Sequence, residues 1–444
     1  MSSQSKRLLP WLCAAIGLAS AGQASAAKTP PDLAGEWVIT ATMAEGSVST
    51  GLELKHDGQA YAGHSGALDI LTFRQLDYSG QMVGDRLHLE GRSTAGPVGS
   101  LDLKPEGETL VGQGVLYGTP VSVSARRPVS AVGHTPQVID FQPKGFHPLT
   151  SSIPAPALRI FPGDTVRTTT VDTFGTDATG AVVSMPGNPG TGPFYVEGAL
   201  PGDTVAIQIV SLKTNKSTAR MNALLDKRAL VQGYVQTPGA ITDTTWLLDP
   251  AKGTASLRSP SDKLKGFHPA LRPMLGVIAV AFPGGFSVPN RDLGEWGGNM
   301  DFPELREGVT LYLPVYQAGA MIFMGDGHAL QGHGEVTGQG LETSLAVEFK
   351  VGLIKHQAMA QPWSENADYI MVSGIGGSLD DSMERATSGL AAWLKQKYRL
   401  DDSEVAAVLG AALEYQIAEV VDPKPHVVAK IRKDVLSQLP LPAQ

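Results

Sequence analysis

Cysteine is almost missing from this sequence: Cys13 is the single one among 444 residues. It falls in a leader-like opening, so the remainder of the chain can form no disulfide, no thiolate metal site and no thiol nucleophile. Long apolar runs are missing too, and none approaches the 18 or so residues that a membrane-crossing helix needs. Charge is sparse, at 18% of residues, and basic charge is the scarcer sign, with 35 Lys and Arg against 43 Asp and Glu. No Lys/Arg-rich block occurs, which excludes a nucleic-acid partner and points to a small neutral substrate. There is no Walker loop, no strand-linked Gly-x-Gly-x-x-Gly followed by an acid, and no Gly-x-Ser-x-Gly elbow.

What the chain has in quantity is Gly, 51 residues, and Pro, 31, within a composition that is 42% hydrophobic. That combination describes a folded chain with a sizeable core and many turns, hence many short strands. The expected class is mostly β, of the α+β type. Lys6 and Arg7 precede the apolar run 8–21, and Ala24-Ser25-Ala26 supplies a small-x-small cleavage site. Residues 1–26 therefore read as a signal peptide, and the product as periplasmic or secreted with no stable membrane anchor after cleavage. Cleavage after Ala26 removes two basic charges and no acidic ones, leaving 33 basic against 43 acidic residues, a net charge of −10.

Residues 28–128 break into short alternating runs separated by turns such as His56-Asp57-Gly58, Val83-Gly84-Asp85 and Pro105-Glu106-Gly107. About eight strands at this spacing predict a small barrel or sandwich. Its opening Gly35-Glu36-Trp37 resembles the first strand of lipocalin-like barrels. Residues 129–149 carry Pro136 and Pro143 without periodicity and read as a linker. Few contacts are expected across that boundary.

The main domain is expected over 150–440. Two Pro-Gly-Asp turns, at 162–164 and 201–203, feed alternating strands; in the second, Val205, Ile207 and Ile209 share a face. After Gly377 the period becomes helical. Met383, Ala386, Leu390, Trp393 and Leu394 follow Ser378 and Asp381, which predict a capped helix start. Further helices are predicted from about 403 to 419 and after Pro425 through Val428, Ile431 and Val435.

The chemistry concentrates in glycine-rich runs. Gly325 to Val336 delivers Asp326, His328, His333 and Glu335 just after an apolar strand, a pattern suited to a metal or acid–base site. The alternative for the same run is a surface turn capped by Asp326. Trp296 to Asp301 sets Asn299 and Asp301 beside Gly297 and Gly298, whose N–H groups are candidate oxyanion donors. Glu197 lies in an apolar strand, and Asp172 opens Asp-Thr-Phe-Gly.

In order, the motifs are Pro162-Gly163-Asp164, 172–175, 192–203, 297–301, Leu311-Tyr312-Leu313-Pro314-Val315 and 325–336. Together they resemble the acetamidase/formamidase family. The resemblance implies a β-sandwich-like part with an α/β part, homo-oligomers, and hydrolysis of small linear amides to a carboxylic acid and ammonia. It also implies a divalent metal, zinc being the expected ion. On that reading Asp301, His328, Asp172, Asp326 and His333 are metal-ligand candidates, and Glu335, Glu197 and Asn299 are catalytic candidates. The chain departs from the family at His333, where Asp is usual, and after Gly175, where Thr176-Asp177-Ala178 replaces Gly-Gln-Ile. The rival readings are a non-catalytic periplasmic ligand-binding or scaffold protein, and an amidase or lactamase for another amide.

Overall fold

A computed structural model describes residues 32–442 apart from 45, 59, 67–74 and 358. The expected signal peptide and Cys13 lie outside the described residues. The protein is mostly β. Among the described residues no helix is long and apolar enough to cross a membrane.

Eight antiparallel strands between Gly35 and Arg126 follow one another around a closed barrel, the last, Thr119–Arg126, pairing with the first, Gly35–Met43. Alternation does the work: in Arg86–Ser93, Leu87 and Leu89 point inward while their neighbours face out. Those residues, with Leu52, Leu54, Leu76, Leu101, Leu103 and Leu110, fill the interior. Gly99, with φ of 137°, sits where a Cβ would lie 1.8 Å from the Val115 carbonyl oxygen, so only glycine lets the strands close there.

The barrel does not stand apart. From Leu33 onward the chain forms one compact unit. Ser49 N–H donates to Gln317 Oε1 at 2.8 Å, and its carbonyl accepts from Ala318 N–H at 3.1 Å. Arg126 donates to the Tyr195 hydroxyl at 2.7 Å. The predicted linker is also partly structured, because Val138–Asp140 adds a parallel strand beside Thr165–Thr169.

The body is built on a six-stranded and a nine-stranded sheet. Val205, Ile207 and Ile209, on one face of the strand Thr204–Thr214 as their spacing predicts, join Phe194, Ile278, Met324 and Phe349 in a shared core. Both Pro-Gly-Asp sequences form tight turns with Gly163 and Gly202 at positive φ. Their aspartates accept backbone N–H bonds, Asp164 from Phe161 and Asp203 from Leu200, each at 2.8 Å.

At the C-terminus α1 (Leu379–Tyr398) begins where expected, with Ser378 accepting from Asp381 N–H. It buries Ala386, Leu390 and Leu394 against Val372, Ala429 and Ile431 of the nine-stranded sheet. The other two predicted helices differ. α2 spans only Asp402–Ala412, held by a capping box of Asp401 and Glu404, and residues Glu414–Glu419 are a strand. The segment after Pro425 is the strand His426–Arg432, followed by the single turn α3 (Lys433–Leu436). Val427, Val428, Ala429 and Ile431 are all buried there. A strand covered on both faces leaves a continuous apolar run, which periodicity alone does not separate from a helix.

Candidate active site

The strand Ile322–His328 is buried along its whole length, between Thr191–Val196 and Met274–Ala279 in the six-stranded sheet. Its ladder is interrupted where Gly276 faces Asp326. A Cβ on Gly276 would lie 2.4 Å from Asp301 Oδ1 and 2.8 Å from Asp326 Oδ2, so the bare glycine makes room for two carboxylates. Gly340 does the same for His328, whose Nδ1 would be 2.5 Å from an added Cβ.

Around these glycines a cavity of about 200 Å³ gathers Asn299, Asp301, Asp326, Glu335, Glu342 and Asp422. His328, fully buried, lies against three of these, within 3.8 Å of Asp301, 3.7 Å of Asp326 and 3.0 Å of Glu342. Three overlapping sets, Asp301/Asp326/His328, His328/Glu335/Glu342 and Asp301/Glu335/Asp422, each bring their ligand atoms within 4.8 Å of one another. Asp301, Asp326 and Glu335 hold φ of 38°, 52° and 45°, in the left-handed region that non-glycine residues avoid. Such conformations cost about 1 kcal/mol or more each and persist where surrounding structure enforces them.

Amides hold the carboxylates apart. Asn188 Nδ2 donates to Asn299 Oδ1 at 2.7 Å and to Asp326 Oδ2 at 2.8 Å. Asn299 Nδ2 donates to Asp301 Oδ2 at 2.6 Å and also to Asp422. Gln331 meets His328 Nδ1 at 2.8 Å and donates to the Asp301 carbonyl at 2.6 Å, fixing ring and loop together. His328 Nε2 lies 3.0 Å from Glu342 Oε1, yet off the line a hydrogen bond requires, so the nitrogen remains without a bonded partner. Asp301 Oδ1, Asp326 Oδ1 and Glu342 Oε2 are likewise buried without partners.

Five carboxylates thus face one imidazole. Burial, then repulsion from Glu335 and Asp326, drives the Asp301 carboxyl well above its ordinary range. Burial also raises Glu335, despite attraction from His328. Glu342 is pushed up to about 8 and Asp422 to about 6, in both mainly by burial. Burial works against a charged His328, but Glu342 and Asp326 outweigh it and hold the imidazolium well above the usual histidine range. Orphaned acceptors, excess negative charge and an all O/N donor set fit a divalent cation of hard to borderline character.

Of the residues singled out in the sequence, the fold brings Asn299, Asp301, Asp326, His328 and Glu335 together. Three others sit elsewhere. Asp172 caps its own turn, accepting from Phe174 and Thr176 N–H, and pairs with Lys216 at 2.8 Å; its neighbours Thr173 and Phe174 form cavity wall. Glu197 is held between Arg159 at 2.8 Å and Arg126 at 3.4 Å, facing the barrel. His333 lies exposed, 2.8 Å from Gln416. Gly297 and Gly298 pair with neighbouring strands on both sides and do not line the cavity. Asn188, Glu342 and Asp422 are the additions that sequence reading missed. Asn188 sits in Pro186-Gly187-Asn188-Pro189, which announces only a turn.

Fold and site together define a β-rich body with a buried carboxylate–imidazole centre, packed together with a closed barrel. Comparison with known proteins adds that residues 250–436 match the model of the Acetamidase/Formamidase family, a range that holds the motifs at 297–301, 311–315 and 325–336. A formamidase of Methylophilus methylotrophus is 43% identical over 77 residues, 17% of this chain and 18% of that one. A putative formamidase of Schizosaccharomyces pombe is 36% identical over 78 residues, again 17% and 18%. The chain therefore matches less than a fifth of the length of these curated relatives. Among solved structures, an acetamidase from Bacillus halodurans superimposes with a TM-score of 0.58 at 26% identity, covering 68% of this chain and 99% of its own. One from Yersinia enterocolitica gives 0.58 at 27% identity, covering 70% and 96%.

Proposed function

We propose that the protein is a periplasmic or secreted, metal-dependent hydrolase of small linear amides, forming a carboxylic acid and ammonia. The observation that carries this is the convergence of carboxylates with unpartnered oxygens and one imidazole in a cavity of about 200 Å³. That is below the roughly 300–1,000 Å³ of sites for larger ligands, and suits formamide or acetamide. The likeness to acetamidases and formamidases supports the same reading.

Asp301, Asp326 and His328 would hold the ion, zinc being the first choice for this donor set. When bound, a divalent cation polarises the amide carbonyl and lowers the pKa of water. Asn188 and Asn299 fix the carboxylate oxygens through their amide N–H groups. Gln331 sets the ring of His328. Phe174 and Pro186 give the cavity its apolar lining. Glu335 takes the proton of the attacking water on its carboxylate and delivers it to the departing nitrogen, which leaves as ammonia.

Ammonia release from formamide, acetamide and propionamide, measured on purified protein whose metal content has been determined, tests the reading. Turnover with at least one divalent ion per chain is expected. If zinc-, cobalt- and manganese-loaded protein releases no ammonia from these amides or from lactams, the ligand-binding alternative takes its place. Gly276→Ala, which drives a methyl into Asp301 and Asp326, is expected to weaken metal affinity by about 10–100-fold, the scale of a lost supporting contact. Equilibrium dialysis against zinc reads this directly, and unchanged affinity would remove Gly276 from the site.

A further inference from the structure

The buried acid Glu197 pairs with two arginines, Arg126 and Arg159, that line a second cavity. This cavity opens where barrel and body meet, has a volume of about 420 Å³, and shares no lining residue with the carboxylate centre. Arg126 ends the last barrel strand and Arg159 lies on a strand of the body, and their guanidiniums stand 5.2 and 4.1 Å from the Tyr195 ring centre. Glu197 contacts both, so two cations face one anion and a single positive charge is left over.

Donors are in surplus as well. The Tyr195 hydroxyl accepts from Arg126, which leaves its own hydrogen to give. Gln317 is 1% exposed; its Oε1 accepts from Ser49 N–H, while its Nε2 has no partner among the described residues. A buried amide donor without an acceptor is costly, and the side chain that carries this one is part of the cavity lining. Val38, Val111, Ile153, Pro154 and Met321 supply apolar wall.

From this arrangement we infer that the junction binds a small organic carboxylate, an apolar body carrying one negative charge. One surplus cation matches a monoanion, and planar guanidiniums match a carboxylate. The apolar wall favours an organic tail over an inorganic ion. The volume lies within the range of about 300–1,000 Å³ typical of small-molecule sites.

Calorimetric titration of the whole protein with hexanoate, benzoate, hexanamide and inorganic phosphate tests it. One equivalent of hexanoate or benzoate is expected to bind, with hexanamide and phosphate at least about tenfold weaker. Binding should survive chelation of divalent cations, which separates this site from capture of an acid at the carboxylate centre. Gln317→Glu keeps the acceptor for Ser49 but removes the free donor and adds repulsion; Arg159→Ala removes a half-exposed cation. Each should weaken carboxylate binding by about tenfold or more. The inference is overturned if no carboxylate binds, if hexanamide binds as well as hexanoate, if chelation abolishes binding, or if Arg159→Ala leaves the affinity unchanged.

Discussion

Chelating divalent cations at about pH 8 is expected to destabilise the protein by several kcal/mol, and acidification to about pH 5.5 to restore much of that loss. Glu342, and by burial and the charge of Asp422 also Glu419, hold their protons up to about 8, against an ordinary 4.5. Between those values the folded chain keeps protons that the unfolded chain has released, so stability falls as pH rises through the window. Each shift corresponds to no more than about 5 kcal/mol. Asp301 and Glu335 are shifted in the same direction by burial. His328, raised by Glu342 and Asp326 against burial, also loses its contribution as pH rises. One group opposes them: His426 is buried and lowered to about 4, so it favours folding above its ordinary 6.5 and loses that contribution as pH falls toward 4. The carboxylates outnumber it. A bound dication replaces the protons, so the loaded protein should show little of this slope. Thermal unfolding with and without chelator at the two pH values is the measurement. A chelated protein indifferent to both pH and added zinc would mean that the buried cluster is not a cation site.

Asp301→Asn is expected to separate stability from activity. It deletes one of five crowded carboxylates while keeping shape, and asparagine accepts the φ of 38° as readily as aspartate. Without metal the variant should be about 1–3 kcal/mol more stable than the parent, because a buried, ionisable carboxyl with an orphaned oxygen has been removed from among other carboxylates. Amide turnover should fall by about a thousandfold, the equivalent of about 4 kcal/mol of lost stabilisation. Chemical denaturation of the stripped proteins and kcat/KM on acetamide give the two readouts. Retention of kcat/KM within a few-fold would exclude Asp301 from the reaction.

Local signals carried much of the fold. Glycine punctuation and alternation marked the barrel, and Ser378 with Asp381 marked the start of α1. The segment 426–432 misled because its covering layers, α1 on one face and the body core on the other, are set by tertiary packing, and 414–419 because it is the edge strand that pairs with it. In the site, Asn299 and Asp301, and Asp326, His328 and Glu335, were legible because each set lies in one short glycine-rich run. Glu342 was not, since its place depends on pairing with Arg220 across the chain. Asp422 meets Asn299 across 123 positions of sequence. Asp172 and Glu197 looked available only because Lys216, Arg126 and Arg159, which occupy them, are remote in sequence.

Asp422 follows the strand Glu414–Glu419, and the backbone around it is tied to the Glu335 loop: Gly334 N–H donates to the Ala418 carbonyl at 2.9 Å, and Val420 N–H to the Gly334 carbonyl at 3.1 Å. One wall of the cavity is therefore supplied by a segment that follows the barrel and most of the body in sequence. A nascent chain stalled before that point would have its barrel and most of its body, yet lack the carboxylate and the latch that complete the chamber. Assembly thus imposes its own order, the cavity being complete only after the segment carrying Asp422 has joined the fold.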